Sequence, residues 1–229
     1  ITRAVTRGLD PRAPLRDSGI PWLSEIPAHW KVLPLKYGFS RIGSGTTPPT
    51  GSANYYDGDV PWVTTSELRE NVVTSTNESV TQEALSALSS LRTYPTGSLL
   101  FAMYGATIGR IAVLGVEATV NQAVCVLADA TSFETWFTFF SLQASREHLI
   151  VQASGAGQPN LNAEIVRNHR IACPPLQTQE TIVEYIVAES VKSDALRSAT
   201  ERTIGLLKER RAALIAAAVT GQMNIGAIT

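Results

Sequence analysis

Residues 174–220 read PPLQTQETIVEYIVAESVKSDALRSATERTIGLLKERRAALIAAAVT. After the pair Pro174-Pro175 this stretch contains no further proline and a single glycine, Gly205, so little in it interrupts a helix. We predict one helix from Gln177 to Thr220, about 60 Å long at a rise of about 1.5 Å per residue. Alternating steps of four and three residues trace a seam through Ile182, Ile186, Glu189, Ser193, Leu196, Thr200, Thr203, Leu207, Arg210, Leu214 and Ala217.

The polarity of this seam bears on what the helix packs against. Glu189, Ser193 and Arg210 make it too polar for a tight homodimer zipper. One interpretation is that the helix pairs with a second long helix of the same protein. The alternative is a long solvated helix that covers its own domain.

The region upstream of the helix, residues 33–172, has the mixed pattern of an α+β domain. Short apolar runs, rich in β-branched residues and separated by glycines, predict strands at residues 60–63, 98–103, 108–113 and 123–127. Helical spacing predicts helices at residues 81–91, 133–153 and 162–168. The predicted fold class is therefore α+β: an irregular, twisted mixed β-sheet with flanking helices, followed by one long C-terminal coiled-coil-type helix.

A short repeat relates the two ends of the chain. Residues 1–6 (ITRAVT) match residues 215–220 (IAAAVT) at four of six positions, and a glycine follows each copy closely. We interpret each copy as the end of a long helix, which makes the chain one period of a tandem pair. Between residues 7 and 30 prolines prevent continuous helix, and this linker is expected to dock on the body through Trp22, Leu23, Ile26 and Trp30.

The charge balance excludes a protein that binds nucleic acid by bulk electrostatics alone. Residues 1–18 carry a net charge of +2, residues 19–176 carry −3 and residues 177–229 are neutral, for a total of −1. The two cysteines are too few for a disulfide framework, which favours a reducing, cytoplasmic location. No apolar run is long enough to span a bilayer, and no secretory leader opens the chain.

The common catalytic motifs of DNA enzymes are missing from the sequence. Gly43-Ser44-Gly45 leads into Thr46-Thr47-Pro48-Pro49 rather than into a helix, so it does not resemble a cofactor loop. Neither Pro-Pro pair has the acidic or amide residue and the aromatic residue of an adenine methyltransferase tetrapeptide. The three histidines have no metal-ligand spacing, and no Gly-x-Ser-x-Gly elbow occurs. The sequence therefore predicts a non-catalytic binding module.

Seven motifs, in order along nearly the whole chain, resemble the specificity subunits of type I restriction-modification enzymes. They are SGTTP (residues 44–48), YDGDVPWVT (56–64), GSLLFAMYGATIGR (97–110), NQAV (121–124), GQPNLN (157–162), PPLQTQ (174–179) and LKERRAALI (207–215). The resemblance implies one target-recognition domain and one conserved-region helix, which is half of a two-domain subunit. It leaves open whether the chain is a fragment or a natural half subunit that dimerises.

The resemblance also implies the division of the chain and its partners. Residues 1–18 would be a helix end and linker, 19–176 the target-recognition domain, 177–222 the spacer helix and 223–229 a tail. The expected partners are double-stranded DNA, modification (methyltransferase) subunits, a restriction (motor-nuclease) subunit and a second half subunit or second copy through the long helix, with no membrane. No cofactor is expected on this chain, because S-adenosylmethionine belongs to the modification subunit.

Ten residues are predicted to contact DNA: Arg41, Thr46, Thr47, Thr65, Ser66, Tyr104, Thr107, Arg110, Gln158 and Asn160. Arg110 follows a glycine-rich turn, where a guanidinium can pair with guanine in the major groove. Gln158 and Asn160 are candidates for adenine contacts.

Several of these positions have a structural alternative. Residues 64–66 could instead cap a helix that starts near Glu67, and Tyr104 could be a core aromatic. Asn121 and Gln122 could satisfy backbone groups, and Trp22, Trp30 and Trp62 are expected in the core. The competing hypothesis for the whole chain is an α+β protein-interaction scaffold with a coiled-coil arm, which does not bind DNA.

Overall fold

The computed structural model of the protein describes residues 1–152 and 160–222. The chain divides into two compact units, Ile1–Val183 and Glu184–Thr229. The first unit therefore includes residues 1–18 and extends seven residues beyond the division predicted at residue 176. None of the described helices is long and apolar enough to cross a membrane.

The described residues form strands β1 (Leu15–Asp17), β2 (Glu25–Pro27), β3 (Lys31–Pro34), β4 (Phe39–Ser44), β5 (Tyr56–Val63), β6 (Asn71–Val73), β7 (Glu78–Val80), β8 (Leu99–Ala102), β9 (Ile111–Leu114), β10 (Thr119–Val120), β11 (Val124–Ala130) and β12 (Arg170–Cys173). The α-helices are α1 (Thr2–Arg7), α2 (Gln82–Ala87), α3 (Thr135–Gln152), α4 (Ala163–Asn168) and α5 (Leu176–Val219). Single 3-10 turns cover Leu35–Tyr37, Ala53–Tyr55 and Thr65–Glu67.

A five-stranded mixed sheet forms the centre of the first unit, in the order β4-β11-β8-β9-β6. Only β9 and β6 run parallel to each other; the other neighbours are antiparallel. Strands β8 and β9 are buried along their whole length, because both of their faces are apolar. Leu99 pairs with Val113 across them, so the two strands predicted on either side of the turn form a hairpin. The predicted α+β class with an irregular mixed sheet is confirmed.

A smaller sheet, β10-β5-β7, lies beside the central one. Val60, Trp62 and Val80 pack with Ala84 of α2 and with Leu91 into a second apolar cluster. Trp62 is buried in this cluster, and Trp30 is buried outside it. Trp22 is half-buried and stacks on His169, with the ring centroids 5.5 Å apart. Trp30 and Trp62 therefore lie in the core as predicted, whereas Trp22 lies at its margin.

The linker docks on the body as predicted, but it is more ordered than its prolines indicate. Strands β1 and β2 form an antiparallel hairpin, and Leu23, Ile26 and Trp30 are buried. The Arg16 guanidinium holds the hairpin by donating to the backbone oxygens of Ala28, Asp17 and Trp30. Before the hairpin, α1 buries Ala4, Val5 and Thr6 and packs against α3 and β2.

The long helix α5 agrees with the predicted range within one residue at each end. Its start is fixed by the buried Gln179, whose side-chain oxygen accepts from the Glu134 amide at 2.7 Å. The Gln179 side-chain nitrogen donates to the Ser132 and Pro174 oxygens. This hydrogen bonding ties the first turn of α5 to the segment that precedes α3.

Most of the predicted seam is exposed in this chain. Ile182 is fully buried within the first unit, whereas Leu196, Leu207 and Leu214 are 70%, 58% and 46% exposed. The glycines after the two repeat copies are Gly8 and Gly221, with φ of 72° and 71°. Both copies lie mainly in helices, α1 and α5, and each helix is followed by a glycine with a positive φ.

Three predicted elements differ from the structure. No helix starts near Glu67: residues 65–67 form one 3-10 turn, and β6 follows at once. The predicted strand at residues 108–113 begins at Ile111, because Gly109 has a φ of 75° and closes a turn. The predicted helix at residues 81–91 ends at Ala87, since the backbone of Leu88 is extended.

Candidate nucleic-acid interface

All five central strands have an end at one edge of the sheet. Ser44, the last residue of β4, pairs with Cys125 near the start of β11, and Ala102 at the end of β8 pairs with Val124. The smaller sheet joins the same edge, because the Asn121 amide donates to the Val63 oxygen at the end of β5. We call this the polar edge, defined by the loops at residues 45–48, 64–70, 103–110 and 121–123 together with Asn160.

The turn at residues 103–110 is shaped by two glycines and by hydrogen bonds to its backbone. Gly105 and Gly109 have φ of 82° and 75°, and the Arg110 amide donates to the Thr107 oxygen at 2.9 Å. Arg146 of α3 supports the turn by donating to the Ile108 oxygen at 3.4 Å. Arg110 itself is half-buried and forms no ion pair within the described residues.

Tyr104 and Thr107 of the same turn are less available to a ligand. Tyr104 is half-buried, and desolvation raises its pKa above the ordinary value, so the neutral phenol is favoured. The Thr107 hydroxyl is enclosed and has no hydrogen-bond partner among residues 1–152 and 160–222. In this conformation neither side chain is fully presented to solvent.

Asn160 joins the polar edge through its backbone. It forms a β-bridge with Tyr104, and the Leu161 amide donates to the Met103 oxygen at 2.8 Å. Its side chain is exposed. Gln158, the other amide predicted to read adenine, lies outside the described residues.

Thr46 and Thr47 follow β4 at a point of close backbone contact. A Cβ on Gly45 would lie 1.6 Å from the Val120 oxygen, so only glycine lets the chain pass β10 here. Beyond it, Thr47 donates its hydroxyl hydrogen to the Gln122 side-chain oxygen. The Asn121 side chain accepts from the Ala123 amide, which is the backbone role given as its alternative.

Residues 64–70 form the fourth loop of the polar edge. The Glu67 carboxylate accepts from the amides of Thr64 and Asn77, each at 2.7 Å, and so fixes the turn that holds Thr65 and Ser66. Glu67 thus closes a single 3-10 turn through the Thr64 amide, and the helix start that the capping alternative required is not formed. Ser66 is exposed and Thr65 is half-buried.

Arg69 is a further residue of the polar edge that is not among the ten predicted DNA contacts. Its guanidinium donates to the Ser66 oxygen at 3.1 Å, and the next amide, that of Glu70, donates to the Ile111 oxygen. The parallel pairing of β6 with β9 puts the start of β6 beside Arg110 and Ile111. No signal in the sequence identifies that pairing.

Arg41 is separate from this group. It pairs with Ala128 in the middle of the β4-β11 ladder, three residues before the end of β4. Its guanidinium donates to the Asp129 carboxylate at 2.6 Å and lies over the Tyr94 ring at 5.5 Å. Of the nine predicted residues that are described, eight therefore lie at the polar edge and Arg41 does not.

The chemistry of the polar edge is that of hydrogen-bond donors and acceptors on a rigid sheet. Two arginines, exposed hydroxyls and an amide face solvent there, and in the described residues no group of three or more His, Cys, Asp or Glu side chains could hold a metal ion. The buried Cys125 thiol beneath the edge has a pKa raised to about 12 by desolvation, so it remains protonated and packs as a small apolar group.

Comparisons with known proteins agree with this architecture. Residues 27–188 match the family described as "Type I restriction modification DNA specificity domain". The type I restriction enzyme MjaIX specificity subunit of Methanocaldococcus jannaschii is 28% identical over 165 residues, which are 70% of this chain and 38% of that protein. The chain thus spans well under half the length of this curated relative.

Solved structures show the same fold. A chain from a type I R-M system has a TM-score of 0.65 at 20% identity, covering 92% of this chain and 48% of its own length. The HsdS subunit of Thermoanaerobacter tengcongensis has a TM-score of 0.61 at 19% identity, covering 93% and 48%. Because the family match covers more than half of the sequence, this chain belongs to the type I restriction-modification DNA specificity domain family, the family of the specificity subunits.

Proposed function

We propose that this chain reads one half of a bipartite DNA target. The observation that carries the proposal is the convergence of eight candidate residues and Arg69 on the polar edge, in a domain of the DNA specificity family. Arginine can pair bidentately with guanine, and asparagine with adenine, in the major groove. The backbone hydrogen bonds that fix these loops support such readout, because the backbone does not have to be ordered on binding.

The proposal includes a division of labour with partner subunits. Modification subunits supply S-adenosylmethionine and the methyl transfer, while this chain supplies the choice of sequence and performs no catalysis. The net charge of −3 over residues 19–176 supports this division, because a partner must then neutralise many of the DNA phosphates. The exposed seam of α5 is the surface proposed to pair with a second long helix.

The test is a change of methylated sequence in a reconstituted complex of this chain with its cognate modification subunit. Arg110→Ala and Asn160→Ala should each relax the choice of base at one position of the target, with a loss of discrimination of about 1–3 kcal/mol. Methylome sequencing measures this loss. Arg12→Ala is the matched control, because Arg12 is exposed and lies outside the polar edge.

Three outcomes would contradict the proposal. The first is a target that stays unchanged in all polar-edge variants. The second is a wild-type complex that binds cognate and scrambled duplexes equally, as the protein-scaffold hypothesis requires. The third is methyl transfer from labelled cofactor by the purified chain alone, which would contradict its non-catalytic role.

A further inference from the structure

A basic cleft lies along β4, the outermost strand of the central sheet, and is separate from the loops of the polar edge. Its volume is about 540 Å³, and it follows edge strand β4 from Phe39 to Ser44. Four cationic side chains line it: Lys36, Arg41, Arg92 and Arg167. No acidic residue is among the described residues that line it.

The charges of the cleft are only partly compensated. Asp129 pairs with Arg41 at 2.6 Å, and Glu164 pairs with Arg167 at 4.0 Å. Lys36 and Arg92 donate to neutral groups, the Asn168 side-chain oxygen at 2.8 Å and the Ser89 oxygen at 3.1 Å. Two positive charges thus remain in excess, although residues 19–176 as a whole are negative.

Aromatic rings lie beside two of these cations, Arg41 and Lys36. Tyr94 is buried beneath Arg41, and its hydroxyl comes so close to Gly43 that a Cβ there would lie 2.9 Å from it. Arg92 stands two residues before Tyr94, and Lys36 lies over the Tyr37 ring at 5.5 Å. Arg41 is thus fixed beside the buried Tyr94, while all four cations stay accessible to a ligand.

We propose that this cleft binds phosphodiester groups of the DNA backbone that flanks the target, an inference that rests on the proposed function. Serines 40, 44, 89 and 90 line the cleft beside the cations, and hydroxyls together with Arg and Lys are the side chains that contact DNA phosphates. Strand β4 runs directly from the cleft to Thr46 and Thr47, so one duplex can reach both sites. The cleft then fixes the position of the DNA and the polar edge reads it.

The experiment compares salt dependence in the complex of this chain with its modification subunit. We expect Lys36→Ala/Arg92→Ala, which removes the two uncompensated charges, to lower the slope of log affinity against log salt by about 1–2, the number of phosphate contacts removed. Affinity for cognate and scrambled duplexes should fall by the same factor, so their ratio should stay constant. Arg3→Ala/Arg12→Ala removes two exposed arginines elsewhere and should leave the slope unchanged.

Two further variants separate loss of charge from loss of fold. Ser90→Asp adds a negative charge at an exposed turn position and should reduce affinity for both duplexes, with an unchanged thermal unfolding midpoint. Arg92→Lys should retain most of the salt slope, since a phosphate contact requires charge rather than a planar fork.

Each outcome decides between explanations. An unchanged salt slope in the double variant would overturn the inference. Impaired assembly with the modification subunit at unchanged DNA affinity would also overturn it, because the cleft would then bind an acidic protein surface instead of DNA. A wild-type complex that does not discriminate cognate from scrambled DNA would instead contradict the proposed function, independently of these variants.

Discussion

Close packing at single residues decides whether the polar edge can form. Gly45 is one such residue, because the chain there touches the backbone of β10 rather than a movable side chain. His169 is another: it is buried, its ring nitrogen lies 2.8 Å from the Ser145 hydroxyl, and it stacks on Trp22. Neither residue contacts DNA in our proposal: Gly45 lets β4 pass β10 at the polar edge, and His169 joins the end of α4 to α3 and to the linker.

Gly45→Ala should destabilise the protein by about 1–3 kcal/mol or more, because the backbone oxygen of Val120 cannot move aside without breaking the β5-β10 pairing. Urea unfolding measures the change. Gly51→Ala is the control, since a Cβ there meets nothing within 4 Å. Equal effects of the two substitutions would show that the close approach at Gly45 is not restrictive.

His169 should make the protein less stable in mild acid. Burial, assisted by the nearby His148, lowers its pKa from 6.5 to about 3, so the folded ring stays neutral while the unfolded ring takes up a proton. Stability is therefore complete above pH 6.5 and falls as the pH drops from 6.5 toward 3, by at most about 1.4 kcal/mol per pH unit.

Urea unfolding at pH 7.5 and pH 5.5 tests this linkage. The loss of unfolding free energy between these two pH values should be roughly 1 kcal/mol larger in the wild type than in His169→Gln. His29→Gln, at an exposed histidine, is the matched control. If His169→Gln keeps the full pH dependence, another group is responsible for it.

At the scale of elements, α5 has the length and continuity of a spacer. It runs unbroken through 44 residues, and Gly205 does not interrupt it. Beyond its start the seam leaves Leu196, Leu207 and Leu214 exposed, which is costly for a helix without a partner. If a second long helix covers this surface, the length of the pair sets the distance between the two half-targets.

An insertion of four residues after Ala199 tests the spacer. It lengthens α5 by about 6 Å and adds about 40° beyond a full turn, while keeping the seam nearly in phase. In the complete complex, methylome sequencing should show the same half-sites with a longer unspecified segment between them. A two-residue insertion breaks the seam and should abolish assembly. New half-sites at an unchanged separation would refute the spacer role.

At the scale of the whole molecule, charge limits what the chain can do alone. Its net charge is −1. The surface proposed to bind DNA is limited to two local regions, the polar edge and the basic cleft. Local sites can position and read a duplex, but they release few counterions. Tight binding at physiological salt therefore requires the positive surface of a partner.

The isolated chain should bind its cognate duplex weakly, in the range of about 10⁻⁴–10⁻⁶ M typical of non-specific binding at physiological salt. Addition of the modification subunit should tighten binding by at least about 10³-fold. Fluorescence anisotropy with cognate and scrambled duplexes measures both states. Specific nanomolar binding by the chain alone would show that its own surface suffices.

Much of the fold could be predicted from the sequence, because the signals are local. The run without proline after Pro175 predicts α5, and Gly105 and Gly109 mark the turn after β8. The apolar runs locate β8 and β11 within about three residues of their observed ends. The sequence at residues 64–67 was ambiguous between a helix start and a DNA contact, and the structure has a single 3-10 turn there rather than a helix.

The candidate site could be predicted only in part, because strand pairing decides which loops meet. The sequence by itself determined the long helix, the central hairpin and most of the residue types of the polar edge. The tertiary structure alone decided that Arg41 pairs with Asp129, that Arg69 stands beside Arg110, and that the rings of His148 and His169 lie 6.4 Å apart. The reason is physical: helix and turn preferences act over a few residues, whereas these contacts depend on strands that pair across large separations in sequence.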